Sequence, residues 1–134
     1  MISPIVSTTF LIWILFIPVA ILNGLAREKL YKSKVGELRG HQLSTVSAII
    51  LFWLLAYALY SGVMHGVSGL TTFLLGILLV VMTMLFECGF GHFVDHLPWN
   101  TIWSDYNLLK GRVWILFLLT ELVSPYLVRL LVTP

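Results

Sequence analysis

The stretch Phe86-Glu87-Cys88-Gly89-Phe90-Gly91-His92 closes a long apolar run that begins near Leu70. The run is long enough to cross a bilayer as a helix, which takes roughly 20 residues. A carboxylate and two glycines interrupt the apolar sequence at its end. Ionisable side chains are costly inside membrane segments, so Glu87 needs a partner or a function there. The stretch therefore predicts a membrane helix that ends in a polar group.

The composition of the whole chain fits the same class of protein. Of the 134 residues, 59% are hydrophobic and 10% are charged, whereas a soluble domain carries about 25% charged residues. The net charge of +2 is too small to indicate binding to nucleic acid. Cys88 is the only cysteine, which excludes an intrachain disulfide and a thiol-oxidising enzyme of the two-cysteine kind.

Four apolar runs predict four membrane-spanning helices, at about residues 5–26, 42–60, 70–92 and 108–132. Short connections join them, so we expect a single domain over residues 1–134. Its predicted fold class is all-α, an integral membrane four-helix transmembrane bundle with up-down-up-down topology. Residues 27–40 and 95–105 are expected to be polar loops.

The distribution of Lys and Arg predicts the orientation of these helices. All of these residues except Arg129 lie in the first and third loops or at the adjoining start of the fourth helix. The N-terminal tail and the second loop contain none. The positive-inside rule then places the first and third loops in the cytoplasm and both termini outside. We expect a multi-pass protein of the cell (inner or plasma) membrane.

Antiparallel helices would bring most of the unusual polar residues to one membrane face, where the first and third spans end and the second and fourth begin. This predicted cytoplasmic-face cluster contains Asn23, Arg27, Glu28, His41, Gln42, Glu87, His92, Asp105, Tyr106, Asn107 and Arg112. Glu87 and Arg112 lie in apolar sequence near the same face, so an ion pair between them is expected. The pair would hold the third and fourth helices together, or it would form part of a substrate or ion site.

The histidines are candidate ligands for a metal or a haem. His92 and His96 are four residues apart and would share a helix face, and His41 is expected at the same end of the bundle. Pro98 indicates that the helix ends nearby, and the chain contains no HExxH motif. Histidines of the membrane interface are therefore favoured, with no metal and no cofactor.

Glu121 is a second carboxyl group in apolar sequence. It lies nine residues beyond Arg112, which is about 13 Å further along a helix and close to the midplane of a hydrocarbon core about 30 Å thick. Pro125, four residues on, removes the amide that would have bonded the Glu121 carbonyl. We expect Glu121 to face protein and to be uncharged, either as a neutral structural group bonded to Thr83 or another subunit, or as a proton- or ion-handling site.

A pattern of four motifs covers nearly the whole chain: Asn23-Gly24-Leu25-Ala26-Arg27-Glu28; His41-Gln42-Leu43-Ser44-Thr45; Phe86-Glu87 with Gly89, Gly91 and His92; and Asp105-Tyr106-Asn107 with Gly111-Arg112 and Trp114. In this combination the chain resembles a family of small, uncharacterised four-helix prokaryotic integral membrane proteins. The resemblance implies the fold and the polar face, and it implies no substrate.

A fainter similarity concerns the start of the second span. Glu37-Leu38-Arg39-Gly40-His41 is similar to a motif of the membrane-associated eicosanoid and glutathione enzymes, which are four-helix trimers. The Asn and Glu expected a few residues later are replaced here by residues 43–46. Glutathione chemistry would be expected near Arg27, Arg39 and Arg112.

Three functions from different classes remain. The first is a non-enzymatic subunit or accessory component of a membrane oligomer or larger membrane complex. Four spans with short loops leave little room for an active site formed by one chain alone. The alternative is an oligomeric transporter or channel for a small solute, with a path lined by Glu87, Arg112 and Glu121. A glutathione-type membrane enzyme comes last, since fold alone does not determine function. The expected partners are the lipid bilayer and other membrane subunits, including further copies of the chain.

Overall fold

The computed structural model describes residues 3–104 and 113–132 of the chain, and these ranges are helical apart from short connections. The helices are α1 (Pro4–Ala26), α2 (Lys32–Val35), α3 (Glu37–Tyr60), α4 (Gly69–Gly89), α5 (Trp99–Ser104) and α6 (Trp114–Val132). Two π-helical turns follow α1 and α4, at Arg27–Tyr31 and Phe90–Val94. The all-α class predicted from the sequence is confirmed for the described residues.

Two of the long helices begin at serine caps. The Ser3 hydroxyl accepts a hydrogen bond from the Val6 amide at 3.4 Å, and Pro4 follows in the first turn, where its missing amide costs nothing. The Ser68 hydroxyl accepts from the Thr71 amide at 3.1 Å at the start of α4. Local sequence therefore sets where α1 and α4 start.

The polar loop expected at residues 27–40 is wrong, because this segment is mostly helical. The π-helical turn continues α1 directly into α2, and the ammonium group of Lys32 lies 3.0 Å from the Glu28 carboxylate one turn away. Such a pair of opposite charges supports a helix. The helix breaks at Gly36, whose φ of 94° is a conformation that favours glycine. The loop expected at residues 95–105 likewise contains α5.

The four long helices pack in a ring in which α1 contacts α3, α3 contacts α6, α6 contacts α4, and α4 contacts α1 more lightly. Helices α1 and α3 are antiparallel. The amide of Asn23, near the end of α1, donates to the carbonyl of Ser44 near the start of α3 at 2.8 Å. At the opposite end, the hydroxyls of Thr9 and Tyr60 are 2.8 Å apart.

Helices α4 and α6 form a second antiparallel pair. The indole of Trp114, the first residue of α6, donates to the Glu87 carboxylate near the end of α4 at 2.7 Å. The start of α4 lies beside Arg129 near the end of α6, because the Arg129 guanidinium donates to the Val67 carbonyl at 2.6 Å. The connection at residues 61–68 therefore joins one pair to the other, and it places Met64 fully inside the bundle.

An aromatic cluster fills the space between α1, α3 and α6. Phe16 lies edge-on to Phe52 with ring centroids 5.3 Å apart, and it stacks on Phe117 at 5.4 Å. Phe52 and Phe117 complete the triangle at 5.5 Å, and Trp114 stacks on Phe117 at 4.6 Å. Such pairs are stabilised by about 0.5–1.5 kcal/mol beyond the area that they bury.

The outer surface of the bundle is also apolar. Large hydrophobic side chains on each long helix point away from the core, among them Leu22, Leu54, Leu85 and Leu131, each 60–70% exposed. Within the described ranges, four helices are long and apolar enough to cross a membrane. The fold is thus compatible with the predicted multi-pass protein.

Helices α4 and α6 approach most closely at Gly76. A Cβ atom added there would collide with the backbone carbonyl of Leu122. Small residues at helix interfaces let backbones approach in this way. Because a backbone carbonyl cannot move aside as a flexible side chain can, a glycine is needed at this position.

We expect Gly76→Ala to destabilise the protein by at least about 1–3 kcal/mol, the usual range for overpacking. Gly89→Ala is the matched control, because Gly89 is also helical and a Cβ added there would meet nothing within 4 Å. Thermal unfolding of both variants in detergent, followed by circular dichroism, compares them. Equal stability of the two variants would contradict the close approach of α4 and α6.

Candidate functional site

An open cavity of about 340 Å³ lies at the end of the bundle where α1 ends, α3 and α6 begin, and α4 ends. We call it the end cavity. Its polar lining consists of Asn23, Arg27, His41, Ser44, Glu87, Asp95, Thr101 and Trp114. Its apolar lining includes Ala20, Ala48, Phe86, Phe90, Leu97 and Ile102. A volume of this order falls within the range of small-molecule sites, roughly 300–1,000 Å³.

One wall of the end cavity is held together by Asn23. Its amide donates to both the carbonyl and the hydroxyl of Ser44, at 2.8 and 3.1 Å. The Arg27 guanidinium lies 3.4 Å from the same hydroxyl. These contacts join the end of α1 to the first turns of α3, so Asn23 acts between helices and not only as a residue of a helix end.

The opposite wall carries Glu87, which accepts the hydrogen bond from the Trp114 indole. Hydrogen bonds to ionised groups are among the stronger ones in proteins. Asp95 reaches the cavity because the π-helical turn after α4 carries the chain back over this end of the bundle. The cavity therefore presents Arg27 on one side and the carboxyl groups of Glu87 and Asp95 on the other.

The predicted cytoplasmic-face cluster is only partly brought together. Asn23, Arg27, His41 and Glu87 line the end cavity. Glu28 is exposed and pairs with Lys32 and Arg27, at 3.0 and 3.5 Å.

Two further members of the predicted cluster lie elsewhere. Gln42 lines a separate surface hollow of about 310 Å³ beside Arg39. His92 stacks on Trp99 with ring centroids 4.0 Å apart, and its Nδ1 lies 2.9 Å from the Leu97 carbonyl oxygen.

The remaining members, Asp105, Tyr106, Asn107 and Arg112, lie outside the described residues. The ion pair between Glu87 and Arg112 consequently stays a prediction.

Several polar residues of the end cavity are absent from the predicted cluster, among them Trp114 and Asp95. Trp114 appeared in the sequence only as part of a motif, and nothing in the spacing showed that its indole would face Glu87. Asp95 was placed in a loop, because no sequence signal indicates the π-helical turn before it. Among residues 3–104 and 113–132, no three His, Cys, Asp or Glu side chains lie close enough together to hold a metal ion.

Glu121 lies inside the bundle and is 1% exposed. The Thr83 hydroxyl donates to its Oε2 at 2.7 Å, and the Trp13 indole donates to that hydroxyl at 3.2 Å. Three helices, α1, α4 and α6, therefore contribute to one hydrogen-bonded chain. The Ser124 hydroxyl donates to the Glu121 carbonyl at 3.2 Å and so satisfies the acceptor that Pro125 leaves without its usual amide.

No protein-family model, curated protein or solved structure matches this chain significantly. The resemblance to the four-helix prokaryotic membrane proteins therefore remains a prediction. The function has to be argued from the geometry of the chain itself.

We expect Asn23→Leu to destabilise the bundle by about 1–2 kcal/mol, because it removes both hydrogen bonds to Ser44 at nearly constant side-chain size. Ser44→Ala should cost less, below about 1 kcal/mol, since the bond to the Ser44 carbonyl remains. Circular dichroism, used to monitor unfolding of the two variants in detergent, shows which variant loses more stability. A larger loss for Ser44→Ala would show that the contact to the carbonyl contributes little.

Proposed function

We propose that this protein is a four-span integral membrane protein that acts as a subunit or accessory component of a membrane oligomer or larger membrane complex. The observation that supports it best is the contrast between a filled interior and a thoroughly apolar exterior. In the described part of the chain, large interior side chains such as Phe52, Tyr60 and Phe117 are fully buried, whereas each long helix presents large apolar side chains outward.

The filled interior speaks against a pore within one chain. The cluster of Phe16, Phe52 and Phe117 occupies the space between α1, α3 and α6. Towards the other end, Tyr60 and Met64 are fully buried. A solute path would have to run between chains, which again requires an oligomer.

The orientation follows from the charges at the two ends of the bundle. The end that carries the end cavity also carries Arg27, Lys29, Lys32, Lys34 and Arg39, and is assigned to the cytoplasm. The connection at residues 61–68 and both termini are assigned to the outside. The membrane is the inner or plasma membrane of the cell.

The end cavity favours a second candidate function, an oligomeric transporter or channel for a small solute. Its volume and its opposed charges suit a small polar molecule. Trp114 lines the cavity and stacks on Phe117 of the aromatic cluster, so transport would require a further opening between helices or between chains. Equilibrium binding of a small solute that is lost in Arg27→Gln would favour this candidate over the first.

The glutathione-type enzyme gains no support from the arrangement of the arginines. Arg27 lines the end cavity, whereas Arg39 lines the separate hollow beside Gln42. The third residue expected for such chemistry, Arg112, lies outside the described residues. We do not propose this activity.

The proposed function is tested by purifying the tagged protein from its own membrane in polymer-bounded native-lipid discs. Mass spectrometry of the intact particles is expected to show several copies of the chain, or a constant ratio to another membrane protein. Gly76→Ala serves as the comparison, because a disrupted bundle should lose specific partners. A chain that is always recovered alone and monomeric would overturn the proposal.

The orientation is tested by cysteine labelling in a Cys88→Ser background. Ser33 and His65 are both exposed and lie at opposite ends of the bundle. A membrane-impermeant maleimide applied to intact cells should label His65→Cys and leave Ser33→Cys unlabelled until the cells are opened. Labelling of Ser33→Cys in intact cells would reverse the orientation.

A further inference from the structure

The buried carboxyl group of Glu121 is left incompletely bonded. Its Oε2 accepts from the Thr83 hydroxyl at 2.7 Å, and Oε1 has no hydrogen-bond partner among the described residues. A carboxylate that is kept charged in an apolar interior usually accepts two or three donors or faces a cation. Within the described part of the chain, a single side-chain donor reaches the group.

Among the described residues, the charged and titratable groups around Glu121 do not supply a cation. Helix α1 has no Lys, Arg, Asp or Glu between Pro4 and Ala26, and α3 contributes the neutral Tyr60 on this side, whose hydroxyl lies 2.8 Å from that of Thr9. On α6, Arg129 lies eight residues away, about 12 Å along the helix, and its guanidinium bonds the Val67 carbonyl. On α4 the nearest carboxyl group is that of Glu87, one turn beyond Thr83.

Glu87 lies one turn along α4 from Thr83, at the end cavity. Thr83 and Glu87 are four residues apart on α4, so they lie on one face about 6 Å apart along the axis. Thr83 bonds Glu121, whereas Glu87 lines the open end cavity. Thr83 and Glu87 thus place polar side chains one turn apart along α4, from the contact with Glu121 to the end cavity.

We propose that Glu121 is a proton-binding site inside the bundle, positioned by Thr83 and Trp13 and connected to the end cavity through Glu87. The neutral acid is the resident form at neutral pH. Loss of the proton to water leaves a carboxylate whose charge is repelled by Glu87. The site would give this membrane protein a response to proton concentration, and it does not depend on the proposed role as a subunit.

The experiment is infrared spectroscopy of the folded protein in lipid, with ¹³C-carboxyl glutamate to identify bands that belong to Glu28, Glu37, Glu87 and Glu121. At neutral pH we expect a protonated-carboxyl band that shifts with the isotope and disappears in Glu121→Gln. Glu28→Gln is the matched control and should keep the band, because Glu28 is exposed and lies outside the proposed site. Raising the pH should abolish the band reversibly while the protein stays folded.

Thr83→Val provides a second way to assign the protonated-carboxyl band to Glu121. This assignment holds even if Glu121→Gln does not fold. It keeps the side-chain shape and removes the donor to Oε2, so the carbonyl stretch of the protonated acid should move to higher frequency. Three results would each overturn the proposal: no glutamate-derived protonated band at neutral pH, a band that does not titrate in the folded protein, or a band that disappears on adding Na⁺ at constant pH.

Discussion

The close approach of α4 and α6 at Gly76 is the contact on which the polar interior depends. With the backbone of one helix against the Leu122 carbonyl of the other, the register of the antiparallel pair is determined over its whole length. That register places Thr83 opposite Glu121 and Glu87 opposite Trp114. A larger residue at position 76 would separate the helices and lengthen both hydrogen bonds.

Polar contacts lie at different levels along the interior of the bundle, with apolar packing beside them. Thr9 and Tyr60 bond to each other at the end away from the end cavity, and Thr83 and Glu121 bond deeper inside. The aromatic cluster packs beside these polar contacts between α1, α3 and α6. In an apolar environment each polar group has to find its partner within the protein, and this requirement explains why the contacts join different helices instead of pointing outward.

Much of the fold could be predicted because hydrophobic runs of about 20 residues have few alternatives to a membrane helix. The sequence predicts a loop between Arg27 and Val35, where the structure has a helical segment, because charged residues interrupt the apolar pattern there. Charged residues are compatible with a helix that extends beyond the apolar layer, and Glu28 and Lys32 support one there. Asn23, Arg27, His41 and Glu87 of the predicted cluster line the end cavity. Gln42 and His92 lie away from it, because a small rotation around a helix axis changes the surface that a side chain faces.

The sequence by itself determined the helical class, the positions of the four long apolar helices and the presence of two carboxyl groups in apolar surroundings. These features follow from composition and length, which act locally along the chain. Only the tertiary structure decided that Trp114 bonds Glu87, that Thr83 and Trp13 position Glu121, and that Asp95 reaches the end cavity. Those contacts depend on helix register and rotation, which are set by packing between residues far apart in sequence, such as Gly76 and Leu122.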